Sequence, residues 1–422
     1  MTQLIKWVYS GGMVNQRSGP VAETPAEAAV LTAVLAAGPI ARSDIARRTG
    51  LSTAAVTRAT QPLLEAGYLR YAPDAGTVHD VHARAVMGRP SQPLVVEASR
   101  AGAIGIKLTA DESIGVVCDL SGSVRICQCK PLSGRSVDAV LADVDGHVKE
   151  LIAAANHLGF MQSIRDVGLS VAGDVDHATG VVRYSPFLGW RDVDLGELVA
   201  ERTNARVVVE NDVKALAVAE QWFGLARGLQ SFALVTIGAG IGCALIVNGA
   251  LVRGSQSVAG EIGHLPVGDP AVLCHCGAHG CVEAEASVDA ITSRCRQVAG
   301  DPDLSFDAAV ARARGGDLGV AAVFARAGHL IGLSIASMVN LLGPEQVIIS
   351  GEGVASYDLL ADAIREGFTQ QVFGSADRTV LHLQPLSFEA WARGAAAVAL
   401  EELAFPFRDP NERRAVWTSY GQ

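Results

Sequence analysis

The chain has 422 residues and a formal net charge of −10, with 49% hydrophobic and 18% charged residues. This length and composition predict a folded globular protein of roughly two or three domains and exclude a disordered chain. No secretory leader and no uninterrupted apolar run near 20 residues stands out, so we expect a cytoplasmic protein without a membrane partner.

Charge is distributed unevenly along the chain. The first 90 residues contain nine Lys or Arg and six Asp or Glu, a balance of +3, which leaves −13 for the remainder. A basic head on an acidic body is typical of a domain that meets nucleic-acid phosphates joined to a body that does not. On charge alone, chance asymmetry remains the alternative.

The N-terminal region predicts an arm followed by a helix. Residues 1–25 are polar and contain several Gly and Pro, which indicates a flexible arm. An apolar, helix-forming run follows over residues 26–37, and Gly38-Pro39 ends it.

Two further short helices are predicted from their capping residues. Ser43 is expected to cap the second helix, which stops at Gly50. Ser52 is expected to cap the third, over residues 53–66, and Pro62 to kink it or end its regular part. Three short helices with a glycine turn between the second and third indicate a helix-turn-helix motif.

A strand at residues 68–71 and a polar segment that ends at residues 88–90 predict a β-hairpin wing, which gives a winged helix domain over residues 26–90. Residues 94–96 are expected to begin the next domain. In this motif the start of the third helix reads base edges and nearby cations hold phosphates. The predicted DNA contacts, with Arg58 as a guanine reader, are Arg47, Arg48, Ser52, Thr53, Thr57, Arg58, Arg70 and Arg89. A small helical module that binds no DNA is the alternative.

Beyond residue 91, strands and helices alternate. Strands that end in glycine turns and lead into helices indicate α/β layers, and two such sets around a cleft predict a bilobal domain over residues 91–422. The predicted strands are 104–106, 114–117, 166–171, 206–209, 232–237 and 346–349, and the predicted helices are 137–158, 213–222 and 328–342.

Three of the eight cysteines lie within eight residues: Cys274, Cys276 and Cys281. In a cytoplasmic protein such a cluster indicates a metal site, and three thiolates with one imidazole make a closed, structural zinc site. We predict His264 as the nitrogen ligand of a site spanning residues 264–281, although spacing leaves His275 and His279 open. Three free cysteines in a glycine-rich loop are the alternative.

Four motifs in order along the chain resemble the ROK family of repressors, open reading frames and sugar kinases. They are Glu210-Asn211-Asp212, the glycine turn at 238–242, Glu261-x-Gly-His264, and the stretch from Cys274 to Glu283. The loop at 184–190 is similar as well, and the resemblance covers about residues 94–405. It implies an actin-like, ribonuclease-H-like ATPase-type fold, with the winged helix of the family's repressor branch.

The resemblance also implies a hexose-type sugar as ligand. The residues that match the family's sugar contacts are Asn211, Asp212, Glu261, His264 and Glu283. Carboxylates and amides suit a ring of hydroxyls because each forms several hydrogen bonds. In the family's kinases the residue that matches Asp212 is the catalytic base. Phe187 stands where many members have Asn, which leaves the identity of the sugar open.

The phosphate side departs from the family's kinase pattern. Kinases carry Asp-x-Gly-Gly-Thr at the first strand, whereas this chain has Lys107 in place of the Asp and neither Gly. Glu352 stands where members usually have Gly. Residues with a Cβ cannot let the backbone close on a phosphate, and a lysine repels Mg²⁺. Because positioning and charge neutralisation supply phosphoryl-transfer catalysis, we expect no enzyme.

The sequence therefore predicts a sugar-responsive DNA-binding regulator, a repressor, with a structural Zn²⁺ ion. We expect a homodimer or a dimer of dimers on a palindromic operator, because paired half-site readers gain affinity and spacing specificity. One alternative is an active sugar kinase of the same family with an added DNA-binding domain. The other is a DNA-binding regulator that no longer senses sugar.

Overall fold

The computed structural model of the chain describes residues 21–73, 92–158, 164 and 166–404. Its N-terminal part is a winged-helix unit of three helices and two short strands. The bounds are α1 Pro25–Ala37, α2 Arg42–Thr49, α3 Thr53–Glu65, β1 Leu69–Tyr71 and β2 Leu94–Val96. Most of the predicted arm and most of the predicted wing, including Arg89, lie outside the described residues.

The turn between α2 and α3 forms as predicted. Gly50 ends α2 in the left-handed region, with φ of +69°, where a side chain is disfavoured. The Ser52 hydroxyl caps α3 by accepting a hydrogen bond from the Ala55 amide at 3.2 Å. Pro62 does not end α3, which continues to Glu65, and the buried side chain of Leu63 holds its last turn against the core.

The predicted cap of α2 is wrong. The N-cap position is Ala41, without a side-chain hydrogen bond, and Ser43 lies inside the first turn. The reason is tertiary: Ile40 exchanges two backbone hydrogen bonds with Leu94, which keeps the chain extended up to Ile40. The helix begins directly after that bridge.

Strand β2 belongs with the winged helix. It pairs antiparallel with β1, with Arg70 opposite Val95, so the prediction that residues 94–96 begin the next domain is wrong. The hairpin that these two strands form is the described part of the wing.

The first lobe contains a five-stranded sheet in the order β10-β6-β3-β4-β5 and a three-stranded sheet in the order β7-β8-β9. Its elements are β3 Gly102–Leu108, β4 Glu112–Asp119, β5 Val124–Pro131, α4 Val137–Leu158, β6 Asp166–Val171, β7 Asp174–Asp176, β8 Val181–Ser185, β9 Trp190–Val193, α5 Leu195–Thr203, β10 Arg206–Asn211 and α6 Asp212–Phe223.

The second lobe contains a five-stranded sheet in the order β13-β12-β11-β14-β15. Its elements are β11 Phe232–Ile237, β12 Ile241–Val247, β13 Ala250–Leu251, α7 Glu283–Ala286, α8 Val288–Ala299, α9 Phe306–Arg314, α10 Leu318–Leu342, β14 Gln346–Ser350, α11 Tyr357–Gln371 and β15 Val380–Leu383. The predicted α/β bilobal fold with an N-terminal winged helix is thereby confirmed.

The last helix, α12 Phe388–Ala404, returns to the first lobe and packs on β3, β4, β6 and α6. Gly105 on β3 permits the close approach, because a Cβ there would lie 2.1 Å from the Ala392 carbonyl oxygen. Gly168 on β6 meets the Ala395 carbonyl oxygen in the same way. The backbone of α12 therefore lies directly against the backbone of the sheet at these two glycines.

Helix α10 is long and apolar enough to cross a membrane by length and composition alone. Half of its most apolar window is buried inside the fold, where Phe324, Ile331 and Ile335 contribute to the core of the second lobe. That burial is typical of the core helix of a globular domain.

Candidate functional site

The outer face of α3 is a polar surface. Ser52, Thr53, Thr57 and Arg58 are exposed, whereas Val56 and Leu63 are buried on the opposite face. The Thr57 hydroxyl donates to the Thr53 carbonyl at 2.9 Å and keeps its acceptor lone pairs outward. The four predicted base-reading residues thus share one accessible surface.

The arginines predicted to contact DNA phosphates differ in the ion pairs that they already form. Arg47 forms an exposed ion pair with Asp44 at 2.9 Å, and Arg48 is exposed beside it. Arg70, in contrast, donates from Nε to Glu97 at 2.9 Å and lies on the wing rather than on α3. A DNA phosphate must compete with Glu97 for Arg70.

The winged helix is docked on the first lobe. The Arg227 guanidinium donates to the Leu35 and Ala36 carbonyl oxygens at the end of α1, at 2.7 and 2.5 Å. The Val21 amide donates to the Leu403 carbonyl oxygen on α12 at 3.3 Å. Apolar side chains of α1, α3, α6 and α12 belong to one buried cluster, so the unit shares a core with the first lobe.

A cleft of about 1050 Å³ separates the two lobes. All the residues predicted from the resemblance line it: Asn211, Asp212, Glu261, His264 and Glu283. Phe187, half-exposed at 37%, lies in the same lining. The sequence did not reveal this assembly, because the residues are far apart along the chain. Asn211 ends β10 and Asp212 begins α6 in the first lobe, whereas the other three precede or begin α7 in the second.

Asn211 and Asp212 occupy the start of α6. The Asn211 side-chain oxygen caps the helix by accepting from the Val213 and Lys214 amides at 3.0 and 3.1 Å. Its amide nitrogen donates to the Gly173 carbonyl oxygen at 3.0 Å. The cap fixes the direction in which Asp212 enters the cleft.

Asp212 forms a buried ion pair with Lys107 of β3. Lys107 Nζ also lies 5.4 Å from the centre of the Trp391 ring, within the range of a cation–π contact. Lys107 was predicted to keep metal and phosphate away; its direct bond to Asp212 was not predicted. No sequence pattern reports a contact between residues 105 positions apart.

Glu261 and His264 lie at the two ends of a single 3₁₀ turn, Ile262–His264, with the His264 amide donating to the Glu261 carbonyl at 3.2 Å. Residues three apart are eclipsed in such a turn, so both side chains stand on one side. Loss of surrounding water in the cleft raises the pKa of the Glu261 carboxyl, although nearby Lys214 opposes that rise.

Glu283 is held at two points. Its Oε2 accepts from the Ile241 amide at 2.8 Å, and its Oε1 lies 2.5 Å from His275 Nε2. His275 therefore acts as a partner of Glu283, a contact that the sequence prediction missed.

The four predicted zinc ligands come together. The ligand atoms of His264, Cys274, Cys276 and Cys281 all lie within 4.8 Å of one another. His264 Nδ1 is 3.8 Å from Cys274 Sγ, and the Cys276 and Cys281 sulfurs are 3.7 Å apart. A tetrahedral ion with bonds of about 2.3 Å to sulfur needs its ligands about 3.8 Å apart, so the donor set fits zinc. This arrangement selects His264 over His275 and His279.

Beside the cleft, Glu210 forms a buried charged junction between the lobes. It accepts from Arg253 Nε at 2.8 Å and lies 3.2 Å from His177 Nδ1. Burial alone raises the pKa of Glu210, but Arg253 and His177 together bring that pKa below its usual value. The junction joins β10 to a loop of the second lobe directly before Asn211.

The glycine turn at residues 238–242 lies in the lining of the cleft beside Glu352. The Gly238 amide donates to the Gly240 carbonyl at 3.0 Å, which closes the glycine turn on itself. Glu352 reaches over this turn, since its Oε2 lies 2.2 Å from the position that a Cβ on Gly238 would take. A carboxylate therefore covers part of the backbone of this turn.

Comparison with known proteins places the chain. The ROK family model matches residues 103–402, and a MarR family model matches residues 24–77. The chain belongs to the ROK family.

Individual ROK relatives include both regulators and a kinase. The xylose repressor of Bacillus subtilis is 25% identical over 348 residues, which cover 82% of this chain and 86% of the repressor. The glucokinase of Thermotoga maritima is 32% identical over 256 residues, covering 56% of this chain and 80% of the kinase. A crystal structure of a ROK family transcriptional regulator, a homologue of the Escherichia coli MLC protein, superposes with a TM-score of 0.75 at 25% identity and covers 90% of this chain and 97% of that one.

Proposed function

We propose that the protein is a sugar-responsive transcription regulator that represses genes by binding operator DNA in the cytoplasm. The observation that carries the proposal is the ion pair of Lys107 with Asp212 in a cleft that keeps its sugar-type lining. The residue that would accept a proton from a sugar hydroxyl in a kinase is already bound to a cation. Ligand binding without turnover is what this site supports best.

The sugar contacts follow from the cleft. Glu261 and Glu283 offer acceptors from the second lobe, and His264 offers its Nε2. At the start of α6, Asp212 offers an acceptor and Asn211 the second N–H of its amide group. A ligand that bonds both groups favours a closed arrangement of the lobes, and only a ligand with different affinities for two arrangements shifts the equilibrium between them. Phe187 supplies an apolar surface for one face of the sugar ring.

The DNA contacts follow from the exposed face of α3. Ser52, Thr53, Thr57 and Arg58 face the major groove in this proposal, with Arg47 and Arg48 on the adjacent phosphates. Arg70 is a weaker phosphate contact because Glu97 holds it.

Helix α6 connects the two sites. Its N-terminal end carries Asp212 in the cleft, and its other end, about 18 Å away, packs with α1 in the shared core. Lobe closure that moves α6 therefore moves the winged helix. In a homodimer or dimer of dimers on a palindromic operator, such a movement changes the spacing of the two reading helices.

A structural zinc ion completes the site in this proposal, held by His264, Cys274, Cys276 and Cys281. When bound, a closed four-ligand zinc contributes folding energy and no reaction chemistry. His264 Nδ1 points to the thiolates, so Nε2 remains to face the sugar.

A mobility-shift titration on the promoter beside the protein's own gene tests this function. We expect the full-length protein to shift the DNA, and one of glucose, xylose or N-acetylglucosamine to change the affinity at least about fivefold. Glu261→Gln should retain the shift and lose the sugar response. A shift that no sugar changes would support a regulator that does not sense sugar.

The kinase alternative rests on the similarity to the Thermotoga maritima glucokinase. A coupled assay with ATP and the same sugars decides between the two, and we expect no turnover above background. Turnover that Asp212→Asn abolishes would establish the kinase instead.

A further inference from the structure

The hydrogen-bond donors of the cleft indicate whether its sugar ligand carries a phosphate group. Proteins bind phosphate groups with Arg or Lys side chains, or with backbone amides at helix N-termini and glycine turns. Free sugars need none of these, because their hydroxyls donate as well as accept hydrogen bonds.

The cationic donors are already used. Among the described residues, Lys107 is the one Lys or Arg in the lining of the cleft, and it is buried against Asp212. Turning Lys107 towards a phosphate would leave the Asp212 carboxylate buried without its partner, which is unfavourable. His264 Nδ1 faces the thiolates, which leaves only its Nε2 towards the cleft, and His275 contacts Glu283.

Several backbone donors at the cleft are occupied as well, at the starts of α6 and α8 and in the glycine turn. Asn211 accepts from the first amides of α6, and the Ser287 hydroxyl accepts from the Ala290 amide of α8 at 3.2 Å. In the glycine turn, the Gly238 amide bonds to Gly240 and the Ile241 amide bonds to Glu283. These amides offer a phosphate oxygen no vacant hydrogen bond.

The charge of the lining opposes an anion. Eight carboxylates and one lysine line the cleft among the described residues. Two of the eight, Glu352 and Asp289, lie exposed near the glycine turn, where a phosphate would be nearest to backbone amides. Carboxylates only accept hydrogen bonds, so the ligand that satisfies them must bring donors.

We infer that the effector is an unphosphorylated, uncharged sugar and that the cleft discriminates against its 6-phosphate. The inference rests on the proposed sugar response and adds the chemical class of the ligand. Ionised carboxylates select hydroxyl-rich ligands in this site and repel a phosphate dianion.

Calorimetric titration of the full-length protein with matched pairs tests the inference. The pairs are glucose with glucose 6-phosphate, and N-acetylglucosamine with N-acetylglucosamine 6-phosphate. We expect at least one free sugar to bind, with its 6-phosphate at least tenfold weaker in about 0.1 M salt. Raising the salt to about 0.5 M should narrow that ratio by screening, and Glu352→Gln should narrow it also. Glu366→Gln, an exposed change on α11 outside the cleft, should leave the ratio as it is.

The possible outcomes distinguish a failure of this inference from a failure of the proposed sugar response. A 6-phosphate that binds as tightly as its free sugar, or more tightly, would overturn the inference and leave the sugar response standing. A preference for the free sugar that neither salt nor Glu352→Gln changes would overturn its electrostatic basis. Silence towards every sugar, free or phosphorylated, would overturn the proposed sugar response and this inference with it.

Discussion

Lys107 and Asp212 are almost withdrawn from water, with side chains 10% and 11% exposed. Removing one member of a buried pair leaves the other charge without compensation. We expect Lys107→Met to lower the free energy of unfolding by about 3 kcal/mol, measured by urea denaturation. The variant should not gain kinase activity, because the glycine turn remains covered by Glu352.

Two further variants make this test specific. Lys149→Met removes an exposed i,i+4 pair with Asp145 and should cost at most about 0.5 kcal/mol. Asp212→Asn added to Lys107→Met should recover part of the loss, since no buried charge then remains unpaired. Equal effects of Lys107→Met and Lys149→Met would contradict the assignment of a buried ion pair.

The cysteine cluster gives a second prediction at this scale. Cys276→Ser should lower the zinc content of the purified protein from about one ion per chain and lower its melting temperature, because a structural zinc site contributes folding energy. Elemental analysis and thermal denaturation measure the two quantities. Cys127→Ser, an exposed cysteine on β5, is the control that should alter neither. Zinc retained at full occupancy in Cys276→Ser would remove this cysteine from the ligand set.

Some features of this site are encoded in short sequence motifs, and others depend on contacts formed only in the folded chain. The thiolate spacing and the Glu261-x-Gly-His264 motif are short patterns, so the sequence predicts both. The bond from Lys107 to Asp212 and that from His275 to Glu283 depend on how β3, α6 and α7 meet in space. Such contacts have no periodicity along the chain.

At the scale of elements, α3 carries the proposed DNA-reading surface. Arg58 is exposed on it, and an arginine that bonds a guanine with two hydrogen bonds discriminates by about 1–3 kcal/mol per base pair. We expect Arg58→Ala to lose that amount on the operator and to relax preference at one position, measured by anisotropy on single-base operator variants. Arg70→Ala should weaken binding less and equally on all sequences, because Glu97 competes for this side chain. A uniform loss for Arg58→Ala would make Arg58 a phosphate contact instead.

Helices and strands whose sequence pattern lies within the element itself were predicted correctly. Elements whose bounds or pairing depend on residues outside that pattern were not. Helix α4 has the predicted bounds because its amphipathic pattern is long and uninterrupted. Helix α10 begins ten residues before the predicted start at Gly328, since its cap, Asp317, lies beyond the apolar run that indicated it. Strand β2 was assigned to the wrong domain because 22 residues, 72–93, separate it from its partner, β1. The length of such a connection does not predict which strands pair, or in which register.

At the scale of the whole molecule, the winged helix is not an independent appendage. Its buried side chains Val30, Leu31 and Val34 belong to the same cluster as Ala215 and Trp222 of α6. A unit of this size buries too little apolar surface alone to be very stable. Sharing a core with the first lobe therefore stabilises it, and in the proposed function this core is the route by which lobe movements reach it.

Arg227 provides the polar contact between the winged helix and the first lobe. It follows α6 and donates to two carbonyl oxygens at the end of α1. Arg227→Ala should leave sugar affinity and sugar-free operator affinity within about threefold while reducing the sugar-induced change in operator affinity by about three- to tenfold, within the usual range of coupling energies. Arg227→Lys, which keeps the charge but not the two-pronged geometry, should fall between the two.

Reciprocity makes the same prediction measurable from the other site. If operator and sugar are coupled through this contact, operator DNA must change sugar affinity by the same factor as sugar changes operator affinity, in the wild type and in each variant. Calorimetric titration of sugar with and without operator DNA supplies that factor. Arg365→Ala, which breaks an exposed pair on α11 in the second lobe, should leave it unchanged. Because Arg227 contacts the winged helix and not the cleft, wild-type coupling in Arg227→Ala would mean that the signal travels through the apolar packing of α1 on α6 alone.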